Sequence, residues 1–415
     1  MQRRDAWIGM LVGGLCASAP AAGAGEERVR GGAKASRAVS VAPAAQGGFF
    51  PGAPIVVADG AFDAKRADDL GLSRAAGAET RTIFSPSPSS DHFSNGVVMV
   101  GFKGQLFAQW QSSATDADAP DTWVAYSRSS DGKSWSAPAA LVSRLTGGIR
   151  TSGGWWTNGD TLVAYVNAWP SGQKPRGGYT EYVTSKDGQT WSEPRRLTLA
   201  DGSPLNGIFE QDPHRLPNGR ILNAAHFQPG LRVAPCYTDD ASGTSGWVRA
   251  DFSPWTFPGD TTRELEPSSF RRKDGALVML FRDQGGSFKT LASLSYDDGE
   301  SWMQAVESNL PDARAKQSAG NLPDGTAFIV NDPSGNRTRV PLVLSLSRDG
   351  QRFDKAFVLR AGGSDLPAQR TAGKAKQLGY IDPKSTVWNG ALYVAYATNQ
   401  EDVQYTRVPL ASLAY

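Results

Sequence analysis

The hydrophobic positions of the chain recur as short strand-like runs, each introduced by a pair of turn-forming residues. The pairs end in Gly, which supplies the positive φ angles that a two-residue β-hairpin needs. They are Lys103-Gly104, Asn158-Gly159, Asn218-Gly219, Asp274-Gly275, Asp324-Gly325 and Asn389-Gly390. Alternating or apolar runs follow at residues 105–111, 162–167, 221–226, 276–282, 326–330 and 391–397. The pattern predicts a series of β-hairpins.

A second repeat, of the form Ser-x-Asp-Gly-x-x-Trp, runs out of phase with these hairpins. Its aspartates are Asp131, Asp187, Asp297 and Asp349, and its aromatic positions are Trp135, Trp191, Trp302 and Phe353. The aromatic positions are roughly 50–60 residues apart, with one double gap in which Trp247 falls halfway. Ser and Asp can tie such a turn together while the ring packs between sheets. We therefore assign these aspartates a structural role.

Together the two repeats predict the fold. Each unit has a strand, a tight turn, a strand, a wider loop, a strand, the motif turn and a last strand. Repeated four-stranded units of this length are the blades of a β-propeller. We predict an all-β propeller with six blades of four antiparallel strands, and seven blades if residues 49–91 conceal another. The sixth unit lacks a motif turn, so residues 54–57 are expected to supply its outer strand.

The N-terminal segment has the pattern of a signal peptide. Arg3 and Arg4 precede a short apolar run at residues 7–15, and small residues follow as far as Ala24. We expect a signal peptide over residues 1–24, a flexible leader over 25–48 and one propeller domain over 49–415. The expected location is periplasmic or secreted.

Composition and charge narrow the function classes. The 43 Lys and Arg residues nearly balance the 41 Asp and Glu residues. The chain therefore lacks the large net positive charge that would attract nucleic acid. No apolar run is long enough to span a membrane. Two cysteines and three histidines leave little scope for a disulfide scaffold or a zinc site. We therefore expect no cofactor, no metal and no nucleic-acid partner, and a monomeric protein.

The motif turns resemble the Asp-box, or BNR, repeat of the sialidase superfamily over residues 92–415. Residues 266–275 and 389–402 are similar to BNR-type proteins called sialidase-like. Residues 92–96 and 109–120 also resemble propeller enzymes that split terminal L-rhamnose from D-glucuronate by elimination. The second resemblance implies a histidine in the central pocket.

The sialidase resemblance implies three arginines that hold a carboxylate, an aspartic acid and a Tyr–Glu nucleophile pair. The matching residues here are Tyr380, Glu266 or Glu210, and Arg282. His92 stands where the first arginine is sought, and the Arg-Ile-Pro motif of the first blade is absent. Candidates for a third arginine are Arg150, Arg314 and Arg337.

Propeller geometry predicts a site without reference to any family. The beginnings of the inner strands converge on the central axis, on the face opposite the motif turns. Polar residues there are His92, Asn95, Arg150, Glu210, Asp212, His214, Glu266, Lys316, Gln317, Asn321, Tyr380, Asp382 and Lys384. The ends of second strands add Gln109, Asn167, His226, Arg282 and Asn331.

These residues suggest chemistry on an acidic sugar, because a carboxylate is held by Arg or Lys while a nearby group moves a proton. The catalytic candidates are His92, Tyr380, Glu266 and His214. The substrate-binding candidates are Arg282, Lys316, Arg150, Glu210, Asp212, His226, Asn95, Gln317 and Lys384.

Two mechanisms use this set differently. In an elimination, His92 and Tyr380 form the acid–base pair while Arg282 and Lys316 hold the carboxylate. In a hydrolysis, Tyr380 is the nucleophile activated by Glu266, and Asp116 or Asp118 is the acid.

Structural roles remain open for several candidates. His214 and His226 can be buried polar groups satisfied by the backbone. Arg282 can form an ion pair with Asp283, and Tyr380 can pack as an aromatic on the rim.

The favoured function is cleavage of a terminal sugar of an acidic oligosaccharide or polysaccharide, by elimination at a rhamnosyl-glucuronate linkage. Exo-α-sialidase activity is the alternative. A non-catalytic glycan-binding propeller is the second alternative.

Overall fold

A computed structural model of the protein describes residues 53–415. The predicted signal peptide and leader lie outside the described residues. The described chain is almost entirely β-structure, with two short 3₁₀-helices at Gly363–Asp365 and Leu410–Ser412. No helix within this range is long and apolar enough to cross a membrane.

Six antiparallel sheets follow one another along the chain, and we call them blades 1 to 6. Blade 1 contains Phe93–Phe102, Gln105–Ser113, Trp123–Ser129 and Ala139–Ala140. Blade 2 contains Gly148–Thr157, Leu162–Pro170, Tyr179–Ser185 and Arg195–Arg196. Blade 3 contains Gly207–Phe209 and His214–Arg215, which share one edge, then Ile221–Phe227, Arg232–Thr238 and Val248–Arg249.

The second half of the chain repeats the arrangement. Blade 4 contains Glu264–Arg271, Leu277–Asp283, Lys289–Ser295 and Val306–Pro311. Blade 5 contains Ser318–Asn321, Ala327–Asn331, Leu342–Ser347 and Lys355–Arg360. Blade 6 contains Tyr380–Trp388, Ala391–Thr398, Asp402–Pro409 and Glu79–Phe84. First strands of neighbouring blades contact one another, so they surround a common axis. The predicted six-bladed propeller is confirmed.

The strand that closes the ring is a different one from that predicted. Glu79–Phe84 pairs antiparallel with Asp402–Pro409 and completes blade 6. Residues 54–57 do not do this, because Val56–Val57 pairs parallel with Arg352–Phe353. The side chain of Asn309 also holds the backbone of Val57 by two hydrogen bonds of 2.8 Å. Residues 53–91 contain no further sheet, so they add no seventh blade.

Each motif turn lies between the third and fourth strands of its blade and packs against the preceding blade. In blade 2, Oδ1 of Asp187 accepts hydrogen bonds from the backbone N–H groups of Gln189 and Thr190, both at 2.8 Å. These donors hold the pKa of the Asp187 carboxyl well below its usual value. Gly188 has a φ of +71° and lies against Phe107 of blade 1. The turn is therefore a structural clamp, as the sequence predicts.

The corresponding turn of blade 3 has a different sequence but a similar structure. Asp240 accepts hydrogen bonds from the hydroxyls of Ser242 and Ser245, each at 2.5 Å. The indole of Trp247 donates to the carbonyl of Gly243 at 3.2 Å and is fully buried. Its ring packs edge-on against Phe209, with ring centroids 4.6 Å apart. Blades 2 and 3 share one hydrophobic core through such contacts.

We expect Gly188→Ala to destabilise the protein more than Gly104→Ala. Both glycines have positive φ, which costs a β-carbon about 1–2 kcal/mol. At Gly188 a β-carbon would also lie 2.2 Å from the Phe107 ring, whereas nothing lies within 4 Å at Gly104. Overpacking typically adds about 1–3 kcal/mol. Urea unfolding of both variants measures the difference, and equal destabilisation would contradict the clamp.

Candidate active site

A central cleft lies on the axis where the inner strands begin. Its cavity volume is about 80 Å³, and it is lined by residues of blades 1, 2, 3, 4 and 6 and by Lys316, which directly precedes blade 5. The charged and amide groups that line it include Asn95, Glu210, Gln211, His226, Glu266, Lys316 and Asp382. Arg282 and Arg339 line a smaller recess that shares Asn95, Glu266 and Asp382 with it.

Irregular inner strands direct two acids into this cleft. The register of blade 4 shifts between Leu265 and Ser268, and that of blade 6 between Ile381 and Lys384. Glu266 and Asp382 lie within these bulges with φ of +51° and +54°. Left-handed backbone at a residue other than Gly is strained, and such residues cluster at functional sites.

Glu210, His226 and Lys316 form a buried triad. The Glu210 carboxylate lies 2.7 Å from Nδ1 of His226 and 3.2 Å from Nζ of Lys316. Nε2 of His226 accepts the backbone N–H of Glu266 at 3.3 Å. Because Nε2 is an acceptor, the proton of a neutral His226 is on Nδ1 and faces Glu210.

Interactions within the triad hold Glu210 and Lys316 in their charged forms. Burial opposes the ionisation of Glu210, but Lys316 and His226 outweigh it and keep its pKa well below the usual value. Burial likewise disfavours the charged form of Lys316, yet Glu210 raises the pKa of this lysine. Both groups are therefore ionised at neutral pH, and neither can itself take up a proton.

The other two ion pairs of the cleft join neighbouring blades or strands. Nη1 of Arg282 lies 3.1 Å from Glu266. Nη1 of Arg339 lies 3.1 Å from Asp382, which also accepts the amide of Asn95 at 3.1 Å. Burial raises the pKa of Asp382, but Lys316 and Arg339 lower it by more.

A second layer of polar residues closes the floor of the cleft. Lys384 and Asp212 lie two residues beyond Asp382 and Glu210, and their charged groups are 2.7 Å apart. Lys384 also donates to the carbonyl of Gln317 at 3.0 Å, and Ser268 donates to Asp212.

The rim of the cleft carries an acid and an aromatic platform. Asp118 and Trp169 line the cleft, and Arg176 lies between them. Its guanidinium is 2.6 Å from Asp118 and 5.1 Å from the centre of the Trp169 ring. Asp116 instead accepts the backbone N–H groups of Lys374 and Ala375, which ties two loops together.

The structure brings many of the predicted site residues together. Around the cleft and its recess are Asn95, Glu210, His226, Glu266, Arg282 and Lys316. Immediately below them are Asp212, Gln317 and Lys384. Nine of the thirteen catalytic and substrate-binding candidates therefore lie at or directly below the cleft, and their chemical roles stay predictions.

Two predicted catalytic residues lie away from the cleft. Nε2 of His92 is 3.0 Å from the carbonyl of Ser87 at the outer rim, so His92 does not face the axis. Tyr380 is fully buried, its hydroxyl donates to the carbonyl of Ala361 at 2.7 Å, and its ring packs against Tyr396. Burial also raises the pKa of Tyr380. The structure therefore does not bring the predicted His92–Tyr380 pair together at the cleft, and Tyr380 does not line it.

Arg150 and His214 are also elsewhere. Nε of Arg150 is 2.8 Å from Glu181 and its Nη1 donates to Ser143, so both interactions are within blade 2 and its connection. His214 is the next inward residue after Asp212 and lines the channel below the floor. Burial lowers the pKa of His214, which therefore stays neutral at neutral pH.

The sequence analysis missed Arg339 and Gln211. Arg339 comes from the loop between the second and third strands of blade 5, whose path no repeat predicts. Gln211 donates to the carbonyls of Gly96 and Ser152 at 2.9 and 3.2 Å, across three blades. The sequence signal that could have identified Gln211 is its position between Glu210 and Asp212. No group of three or more His, Cys, Asp or Glu among residues 53–415 could hold a metal ion.

A comparison with protein families identifies the repeat. The model of the BNR repeat-like domain matches residues 104–403, which is most of the chain. The chain belongs to this family. A comparison with curated proteins found no match.

Solved structures share the fold at low sequence identity. A protein of unknown function from Dyadobacter fermentans is 15% identical with a TM-score of 0.62, covering 80% of this chain and 99% of its own. Trypanosoma rangeli sialidase with the inhibitor DANA is 16% identical with a TM-score of 0.60, covering 82% and 60%. The NanB sialidase of Streptococcus pneumoniae is 14% identical with a TM-score of 0.58, covering 80% and 71%.

These likenesses establish a sialidase-like six-bladed propeller. This chain spans only 60% of the length of the Trypanosoma rangeli sialidase. At such identities the fold is shared, whereas the chemistry depends on the residues in the cleft.

We expect Asp312→Asn to stabilise the protein increasingly as the pH rises. Burial raises the pKa of Asp312 to about 6 against the opposing effects of the Ala315 N–H and of Arg282. The folded state therefore holds a proton that the unfolded chain releases from about pH 4 upward, so this carboxyl costs stability as the pH rises to about 6 and beyond. Relative to the wild type, the variant should gain about 3 kcal/mol between pH 3 and pH 8.

Urea unfolding at several pH values measures this gain. The matched control is Asp324→Asn, an exposed aspartate in the first hairpin of blade 5 that should show no comparable change. If the difference in unfolding free energy between Asp312→Asn and the wild type did not change with pH, the effect of burial on Asp312 would be contradicted.

Proposed function

We propose that this chain is an exported, monomeric carbohydrate-active enzyme that cleaves a terminal sugar of an acidic glycan, by elimination at a rhamnosyl-glucuronate linkage. The observation that carries the proposal is the Glu210–His226 pair beside Lys316 and Arg282. A carboxylate on Nδ1 fixes the imidazole, so that Nε2 is the basic atom. The hydrogen bond from the backbone N–H of Glu266 to Nε2 of His226 is long, at 3.3 Å. Nε2 can therefore exchange this donor for a substrate proton.

The cations of the cleft have donors left for a substrate carboxylate. Nζ of Lys316 contacts Glu210 at 3.2 Å and Gln211 at 3.4 Å, and a third N–H is available. Nη1 of Arg282 donates to Glu266, its Nη2 makes only a 3.4 Å contact, and its Nε has no hydrogen-bond partner. Buried donors without partners mark a site where a ligand group fits.

The elimination proceeds in one balanced step. Nε2 of His226 removes the proton from C5 of the glucuronate while Lys316 and Arg282 stabilise the charge that develops on its carboxylate. The C4–O4 bond breaks and a C4–C5 double bond forms. The imidazolium then returns the proton to the leaving oxygen, and rhamnose is released.

Exo-α-sialidase activity is less well supported by this cleft. No tyrosine lines the cleft or its recess among the described residues. The acid of the rim, Asp118, would still be available to a hydrolytic mechanism. Glycan binding without turnover is the stronger second candidate, because Arg282, Lys316, Arg339 and Lys384 are each already paired with an acid.

We expect His226→Gln to reduce the rate of rhamnose release from gum arabic at least about 100-fold, because the base is lost. The matched controls are His92→Gln and Tyr380→Phe, which lie outside the cleft and should retain nearly full rates. Released rhamnose and the ultraviolet absorbance of the unsaturated uronate are measured together. Glu210→Gln should lower the rate of rhamnose release and also shift its pH profile, because Glu210 orients the imidazole of His226.

Three outcomes separate the candidates. Release of sialic acid from sialyl-lactose would contradict the proposed elimination and support exo-α-sialidase activity instead. Gum arabic that binds but is never cleaved would establish a binding propeller. Loss of rhamnose release in His92→Gln, with His226→Gln unaffected, would contradict the site described here.

A further inference from the structure

A second cleft, which we call the lower cleft, lies on the face of the motif turns. It opens between blades 3, 4 and 5, where the inner strands end at Arg215, Arg271 and Asn321. Its cavity volume is about 710 Å³, against about 80 Å³ for the central cleft. Ala414 and Tyr415 contribute to its lining.

The charge of the lower cleft differs from that of the chain as a whole. Five basic side chains line it, and Asp324 is its one acidic side chain among the described residues. The basic residues are Arg215, Arg271, Arg272, Lys273 and Arg348. The formal net charge of the whole chain is only +2, so this is a local concentration of positive charge.

Nearby acids neutralise only part of this charge. Arg272 is 2.5 Å from Asp274, and Arg271 is 3.8 Å from Asp298. The side chains of Arg215, Lys273 and Arg348 are exposed and form no ion pair within residues 53–415. Unlike the cations of the central cleft, these three have no internal acid to bind.

The lining of the lower cleft also suits sugar rings. Buried Leu216, Phe270 and Leu277 form apolar parts of the wall. The ring of Tyr415 is 42% exposed, and the guanidinium of Arg348 lies 4.9 Å from its centre. A flat aromatic flanked by cations can stack on a pyranose while neighbouring carboxylates are paired.

We propose that the lower cleft is a second binding site for an acidic polysaccharide, through several uronate units of its chain. The proposal rests on the proposed function for its substrate class. Its size accommodates more than one sugar, and Arg215, Lys273 and Arg348 line it without an acid partner among the described residues. The site holds polymer and takes no part in cleavage.

Calorimetric titration with a short oligogalacturonate tests the stoichiometry. We expect two molecules bound per wild-type chain, one in each cleft, and one in the variant Lys273→Ala with Arg348→Ala. The matched control is Lys133→Ala with Lys186→Ala, which removes two exposed charges from motif turns on the same face. This control should keep both sites, and added salt should weaken lower-cleft binding.

The outcomes also distinguish this proposal from the proposed function. One molecule per wild-type chain that is lost only in Lys273→Ala with Arg348→Ala supports the lower cleft and argues against the central cleft. One molecule that both double variants retain overturns the lower cleft. Equal binding of a neutral oligoglucan, or tighter binding of an oligonucleotide of the same charge, also overturns it.

Discussion

Closure of the ring between the two ends of the described chain is the constraint on which the site depends. Glu79–Phe84 pairs with Asp402–Pro409, and the hydroxyls of Thr80 and Thr406 are 3.0 Å apart across this junction. Ile83 adds an apolar contact to the core that blades 6 and 1 share. Two ion pairs of the cleft, Glu210–Lys316 and Arg339–Asp382, join side chains from different blades, so an open ring would separate them. Blade closure therefore contributes to chemistry as well as to stability.

The electrostatics of the cleft follow from this arrangement. Its acids and cations are buried in pairs, and burial of each pair carries a desolvation cost that good geometry only partly offsets. The left-handed backbone at Glu266 and Asp382 adds strain. A structure that needed only stability would be served as well by apolar side chains at these positions. Three ion pairs around one cavity are therefore better explained by the proposed function than by stability alone.

The sequence repeats were sufficient to predict the propeller, its blade number and the face that holds the site. They also predicted Glu210, Glu266 and Lys316 at the axis, because the beginnings of the inner strands converge there. They could not distinguish Tyr380 from Asp382. These residues are two apart, and a bulge that leaves no mark in the sequence turns only the aspartate toward the cleft. The closing strand was missed because Glu79–Phe84 is short and mostly polar, with Ile83 as its one buried residue.

The two clefts differ in how their charges are used, and the difference suits different tasks. In the central cleft every cation faces a protein acid, so a ligand gains affinity only by displacing or sharing a partner, which favours selectivity for one terminal group. In the lower cleft Lys273 and Arg348 are exposed to solvent and form no ion pair within the described part of the chain. A polyanion can therefore contact them without displacing a protein acid, and added salt should weaken these contacts. Because the floor formed by Lys384 and Asp212 separates the clefts, one short glycan cannot occupy both. The arrangement therefore suits branched or associated polymers, in which one segment is held while the end of another is processed.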